Sequence, residues 1–434
     1  MIPAPPPTTP PNIVFVLIDD MGYADLSCYG NRLARTENID RLAREGVRFT
    51  QFYVSAPICS PSRTGLLTGQ YPQRWRIHSF LETRAANTKR GMAQWLDTKA
   101  PSVARELQKV GYATGHFGKW HMGGQRDVGE APLITEYGFD TSLTQFEGLG
   151  DRILPLLDAD DGTPPKRYAL GSDTLGRGSI TWLDRSKVTG AFASRAQAFM
   201  TEARAKNKPF FVNLWLDDVH SPFFPPKAVR GDGSKKVLYN AVVQEMDSQL
   251  GPLLEYVRTI PNTIVIVASD NGPEPGAGSA GAFRGQKGNL YEGGIREPLI
   301  VWGPGLVQPG VVNEKTVVTS VDMFPSLLKL AGVAQAHDGE ELSEALLGKK
   351  QPLRRRPIFW KRPPDRPGPS ARERFPDLAV REGDWKLLCM ADGSAPQLYD
   401  LKTDPGEAKN LAREQPERVR QLTELLLAWN KTLP

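Results

Sequence analysis

Four apolar runs rich in β-branched and aromatic residues limit what this chain can fold into. They are Asn12-Ile-Val-Phe-Val-Leu-Ile18, Phe210-Phe-Val-Asn-Leu-Trp-Leu216, Thr263-Ile-Val-Ile-Val-Ala268 and Pro298-Leu-Ile-Val-Trp302. A short run without polar alternation reads as a strand buried on both faces. Helical segments lie between them. Thr36–Gly46 has a capping residue, helical spacing and a terminal glycine, and Ser102–Val110 precedes a short strand at Ala113–Phe117. Val237–Val257 carries apolar residues at Val242, Met246, Leu250 and Leu254, one helical face. Strands alternating with helices predict an α/β fold: a large, mostly parallel central sheet sandwiched by helices.

At 434 residues the chain is long enough for one large domain and a smaller one. The composition changes near residue 350, so the expected division is a large α/β domain over 12–349 and a C-terminal α+β subdomain over 350–434. Arg354–Arg374, rich in Pro and Arg, reads as a linker or surface excursion. Strand candidates come next at Asp377–Arg381 and Trp385–Met390, then Leu398–Leu401 after a turn, and an amphipathic helix over Pro416–Trp429. Met1–Pro11 holds six prolines and reads as an extended tether. Such a tether fits the start of a chain whose export leader has been removed, which would place the protein in the periplasm or outside the cell, and equally a plain cytosolic start.

Charge and cysteine content exclude several classes. The net charge of +5 is small for this length, and the only compact basic run is Arg354–Arg356, so nucleic acid is not an expected partner. No apolar stretch approaches the ~18 residues of a membrane span. Three cysteines, Cys28, Cys59 and Cys389, make no disulfide framework.

The polar residues at the strand ends carry the chemistry, since ligands of open α/β sheets bind at that edge. Asp19-Asp20 and Asp270-Asn271 each come directly after a buried strand. One such pair is usually a cap or turn. Two together offer hard oxygen ligands suited to Ca²⁺ or Mg²⁺ rather than a soft metal. Cys59-Ser-Pro-Ser-Arg63 places Pro61 in a first helical turn, and so Cys59 at a helix N-terminus, where backbone N–H groups favour anions. Gly118-Lys-Trp-His121 reads as extended, with Lys119 and His121 facing one side. His220 comes after the strand ending at Leu216, and Lys287 lies in a Gly-rich loop.

Together these segments resemble the type I sulfatases of the alkaline-phosphatase superfamily. Cys59-Ser-Pro-Ser-Arg63 with Thr68-Gly69 is similar to that family's modification signature, and Gly118-Lys-Trp-His-Met-Gly123 to its second signature. Tyr291-Glu-Gly-Gly-Ile-Arg296, Tyr239–Asp247 and Ala379–Lys386 also match, the last continuing to Asp404-Pro405. The resemblance implies an alkaline-phosphatase-like fold and a sulfatase. Cys59 would be converted to formylglycine by a formylglycine-generating enzyme. Asp19, Asp20, Asp270 and Asn271 would hold one divalent cation, usually Ca²⁺, against that residue. Arg63 and Lys119 would orient the nucleophile, His220 and Lys287 would contact sulfate and protonate the leaving oxygen, and His121 would help deprotonate the remaining hydroxyl. The expected substrate is a sulfated carbohydrate or a small sulfate ester. His78, one helix past Cys59, and Asp217, in the Asp217-Asp218-Val219 segment where relatives carry a neutral residue and Pro, are candidate substrate contacts. Two other readings of the same residues are a phosphonate monoester or phosphodiester hydrolase using the same aldehyde, and a non-catalytic binder of sulfated glycans.

Overall fold

The computed structural model describes residues 9–157, 164–335, 337–365 and 375–434. Most of the Pro-rich start, up to residue 8, and residues 366–374 of the Pro- and Arg-rich stretch lie outside the described residues.

The strands of the main sheet are β1 (Asn12–Ile18), β2 (Val47–Tyr53), β3 (Ala113–Gly118), β4 (Thr141–Thr144), β5 (Arg152–Leu157), β6 (Lys166–Arg167), β7 (Ile180–Asp184), β8 (Phe210–Leu216), β9 (Thr263–Ser269), β10 (Arg296–Trp302), β11 (Val311–Asn313) and β12 (Val318–Thr319). They pair in the order β11-β2-β10-β9-β1-β8-β3-β4-β5-β6, with β12 on β2 and β7 on β5. The run from β9 through β1, β8, β3 and β4 to β5 is parallel. β10, expected from its apolar run, lies antiparallel to both β9 and β2.

Alternation along the central strands divides the core in two. Ile13, Phe15 and Leu17 of β1 join one apolar cluster, and Val14, Val16 and Ile18 join the other. The first cluster takes residues from the helices α2 (Cys59–Thr68), α4 (Val103–Lys109) and α8 (Ser320–Leu330). The second takes them from α1 (Glu37–Glu45), α5 (Val188–Ala205) and α6 (Lys235–Arg258). A strand apolar on both faces is stable only between two such layers. Among the described residues the remaining α-helices are α3 (Arg84–Lys89), α7 (Glu292–Ile295), α9 (Ser343–Leu346) and α10 (Pro416–Lys431).

A second sheet has four antiparallel strands, β13 (Ile358–Lys361), β14 (Leu378–Glu382), β15 (Trp385–Cys389) and β16 (Gln397–Asp400). β13 corrects the reading of Arg354–Arg374 as a linker. Its residues alternate between two cores: Ile358 and Trp360 join the main cluster, while Phe359 packs with Trp429 of α10, ring centroids 5.0 Å apart. Buried charge ties β15 of the second sheet to α7, the short helix that leads into β10. Lys386 Nζ lies 2.9 Å from Glu292 and 2.8 Å from Glu407, with all three side chains enclosed.

Candidate active site

Register brings the polar strand ends together. Ile18 of β1 lies opposite Leu216 of β8 and Ser269 of β9, and Trp215 lies opposite Gly118 of β3. The next residues, Asp270, Asp19 and Asp217, therefore emerge side by side from three adjacent strands, and Lys119 leaves β3, the fourth, one residue short of that level. The ladder continues one step beyond the strands: Asp270 N–H donates to Ile18 O at 3.2 Å, Asp19 N–H to Leu216 O at 3.0 Å, and Lys119 N–H to Trp215 O at 2.8 Å.

Cys59 reaches this edge as the first residue of α2, after an extended Ile58. The whole helix is buried, and it passes so close to β2's outgoing loop that a Cβ at Gly65 would lie 2.1 Å from Ser55 Oγ. Cys59 Sγ stands 3.9 Å from Asp20 Oδ1. One turn on, the enclosed Arg63 guanidinium places Nε 2.9 Å and Nη2 2.8 Å from Asp270 Oδ2, and Nη2 3.5 Å from Asp19 Oδ1. Its Nη1 donates to Lys119 O at 2.8 Å, and the group lies 5.3 Å above the Trp215 ring.

Lys119 and His121 converge, but not by strand alternation. β3 ends at Gly118, and His121 turns the backbone with φ 55°. This corrects the expectation of an extended segment. The two side chains meet on a third residue, Glu147: Lys119 Nζ lies 3.1 Å and His121 Nδ1 3.0 Å from the same Oε2. Lys119 Nζ is also 2.5 Å from Asp19 Oδ2, and His121 Nε2 is 2.9 Å from Leu81 O. On the opposite side, Lys287 Nζ donates to Asp20 Oδ2, and His220 Nε2 lies 3.6 Å from the same oxygen. His220 is the most open of these groups, its side chain 29% exposed.

The donor set fits a hard divalent cation. Oxygens of Asp19, Asp20 and Asp270 lie within 4.8 Å of one another, and Asp19 Oδ1 and Asn271 Oδ1 are buried without a hydrogen-bond donor. Burial raises the carboxyls, but Lys119 and Arg63 hold Asp19 well below the usual range, and Lys287 and His220 hold Asp20 below it. Asp270 goes the other way: burial and then Asp19 push it well above, against Arg63. Three carboxylates thus crowd one point, and a divalent cation there would relieve the repulsion. Burial, and next Asp19, also raise the Cys59 thiol well above its ordinary value, so a free thiolate is disfavoured.

The remaining candidates sit further out. His78 is half-buried on the segment leading to Leu81, and burial together with Lys361 and Arg76 lowers its pKa to about 4. Asp217 is 2% exposed; its Oδ2 accepts from Arg185 Nη1 at 2.9 Å and Gln145 Nε2 at 3.3 Å. Glu147, Gln145 and Arg185 are not marked out by the sequence. Gln145 and Glu147 lie just past the short, polar β4, and Arg185 just past β7, so no apolar run marks either position.

The family model described as Sulfatase matches residues 11–333, and one described as N-sulphoglucosamine sulphohydrolase, C-terminal, matches residues 280–431. Arylsulfatase A of Homo sapiens is 32% identical over 462 residues, covering 96% of this chain and 87% of its own. N-acetylgalactosamine-6-O-sulfatase of Bacteroides thetaiotaomicron is 29% identical over 497 residues, with coverage of 96% and 92%. Among solved structures, a sulfatase from the Bacteroides thetaiotaomicron locus for metabolism of multiple glycosaminoglycans superposes with a TM-score of 0.76 at 26% identity, covering 98% of this chain and 100% of that one.

Proposed function

The chain belongs to the sulfatase family and is a sulfuric ester hydrolase, and from that premise we propose that it removes sulfate from a sulfated carbohydrate with position 59 as nucleophile. The observation that carries the reading is the placement of Cys59, at the start of a buried helix and beside three carboxylates, an amide, one guanidinium and two ammonium groups. The carbohydrate part draws on what the relatives are named for.

Cys59, oxidised to formylglycine by a formylglycine-generating enzyme, supplies a hydrated aldehyde: one hydroxyl attacks sulfur, and the other lets sulfate leave without water attacking sulfur. Asp19, Asp20, Asp270 and Asn271 would hold a divalent cation, Ca²⁺ or Mg²⁺, which supplies positive charge for the sulfate oxygens. This chain's own groups do the rest. Arg63 is fixed by Asp270 and the Lys119 carbonyl, so it orients the nucleophile without reorganising. Lys119, anchored on Asp19, neutralises charge from the buried side. His220 and Lys287 stand on the side where His220 is open to solvent, and there they bind sulfate and donate a proton to the departing oxygen. His121 takes the proton whose loss from the second hydroxyl expels sulfate.

The test is mass spectrometry of the peptide holding Cys59, paired with turnover of 4-nitrophenyl sulfate and of a matched phosphodiester, with and without Ca²⁺. Conversion to the aldehyde with metal-dependent sulfate release supports the reading. A large excess of rate on the phosphodiester would move the protein to that neighbouring reaction class. Full conversion with tight binding of a sulfated glycan and no turnover would make it a binder.

A further inference from the structure

Glu147 neither attacks sulfur nor touches the leaving oxygen, yet it gathers more cationic groups than its place in a loop would suggest. It is 5% exposed and lies just past β4. Its Oε2 lies 3.1 Å from Lys119 Nζ and 3.0 Å from His121 Nδ1, and Oε1 lies 3.8 Å from Arg126 Nη2. Its backbone carbonyl accepts the His121 N–H at 2.7 Å, and its own N–H donates to Gln145 Oε1. The residue thus holds His121 by backbone and side chain together.

The ring's surroundings define what His121 is for. Nε2 faces the Leu81 carbonyl at 2.9 Å, and Nδ1 faces the Glu147 carboxylate. Both partners are acceptors. A neutral imidazole carries one N–H and can satisfy only one of them; the protonated ring satisfies both. The Leu81 peptide is itself held, since its N–H donates to Ser60 Oγ at 2.9 Å. Around the ring, the charged groups are Glu147 on the β4 loop and Lys119 on its own segment, while the Leu81 segment contributes a neutral carbonyl and the Phe80 ring, centroid 6.4 Å away.

We propose that Glu147 is a positioning residue for sulfate release: it anchors Lys119 and provides the counter-charge that lets buried His121 accept a proton. This rests on the sulfatase reading of the site. In the release step the O–H bond of the second hydroxyl breaks, its proton forms the new N–H on His121, and the oxygen's electron pair closes the carbonyl as the C–O bond to sulfate breaks. Sulfate leaves with that bond's electrons. Burial, and less strongly Lys119, hold the resting ring towards its neutral form, below the ordinary histidine range, against the pull of Glu147. A pocket complementary to the protonated ring stabilises the state reached during release rather than the resting state, which is where binding energy accelerates a step.

The chain has five histidines, so ring ¹⁵N spectra of histidine-labelled protein are readable, with His121→Gln identifying the resonance. In Glu147→Gln the His121 ring is expected to take its second proton at least about one pH unit lower than in wild type. On 4-nitrophenyl sulfate, Glu147→Gln should lower kcat on the order of 10–100-fold, with KM within about threefold, and Glu147→Asp should recover part of the loss. An unchanged ring titration, or kcat within about twofold of wild type, overturns the proposal. So does a loss of kcat matched in Glu147→Gln and Glu147→Asp by the same loss of folded protein, which would make the residue only structural. Wild-type protein with full aldehyde and no turnover of any sulfate ester would refute the sulfatase reading instead, while the ring titration still decides whether Glu147 charges His121.

Discussion

Lys119→Met removes one charge from the most enclosed part of the site and keeps an unbranched side chain one atom shorter. Lys119 Nζ lies 2.5 Å from Asp19 Oδ2 and 3.1 Å from Glu147 Oε2, with the side chain 2% exposed. Asp19 would keep Arg63 Nη2 at 3.5 Å, and Glu147 would keep His121 at 3.0 Å and Arg126 at 3.8 Å. Two buried carboxylates therefore lose a close partner together. Breaking such a pair costs about 3–5 kcal/mol, a large share of a total stability of about 5–15 kcal/mol. The direction of the pKa shifts sets the pH dependence. Burial raises Asp19 and Glu147, but Lys119 with Arg63 at the first, and His121 with Lys119 at the second, hold both well below the usual range. Both carboxyls are then ionised in the folded protein, and the stability they gain is present above their unfolded values, near pH ~4, and is lost as pH falls through the folded ones. The Lys119→Met penalty should be complete at pH ~7 and shrink below pH ~4. Turnover should drop on the order of 10²–10³-fold. Adding Glu147→Gln to Lys119→Met removes one stranded charge and should restore part of the stability but none of the rate. The assays are thermal midpoints across pH and kcat on 4-nitrophenyl sulfate, with conversion of Cys59 checked by mass. A single variant within about 1 kcal/mol of wild type at neutral pH, with turnover within about tenfold, would refute the reasoning.

Cys59→Ser, or protein left unconverted at Cys59, should show no sustained turnover, since neither side chain offers the second hydroxyl whose deprotonation releases sulfate; sustained release from the serine variant would sink that step. Chelation should abolish activity and Ca²⁺ should restore it, and Ca²⁺ at about 100 times its Kd should stabilise the fold by about 2.7 kcal/mol, seen as a higher melting point. His116 is buried with both ring nitrogens unpartnered among Trp120, Phe139 and Trp215, and burial, then Arg63, lower its pKa to about 3. Below its unfolded value of about 6.5 the unfolded chain binds the proton that the folded chain refuses, so stability should rise as pH climbs from about 3 to 6.5. His116→Phe should flatten that slope in pH-dependent unfolding, and an unchanged slope would assign it to other groups.

Much of this protein is readable in the linear order of residues, and the reason is local. β1, β8, β9 and β10 are apolar on both faces, which only a sheet between two helical layers accommodates, and the residues Asp19-Asp20, Asp217-Asp218 and Asp270-Asn271 mark where apolar burial stops on three of them. Cys59 at the first turn of α2 is dictated by Pro61 close behind it. Tertiary structure alone decided the rest. β13 was hidden because its four residues sit among prolines and arginines, and its face-by-face packing onto two cores exists only once β14 is beside it. Register decided that Asp19, Asp217 and Asp270 emerge at one level with Lys119 one residue short of it, because hydrogen bonding between parallel strands has no counterpart in sequence spacing. Glu147 comes from a loop with no apolar run to announce it, 28 residues after Lys119 in the chain, and what makes it matter is charge brought within 3.1 Å through a low-dielectric interior. Order along the chain supplied the kinds of groups at the site; three-dimensional packing supplied their partners, because a buried charge is assigned by what lies across the cavity from it.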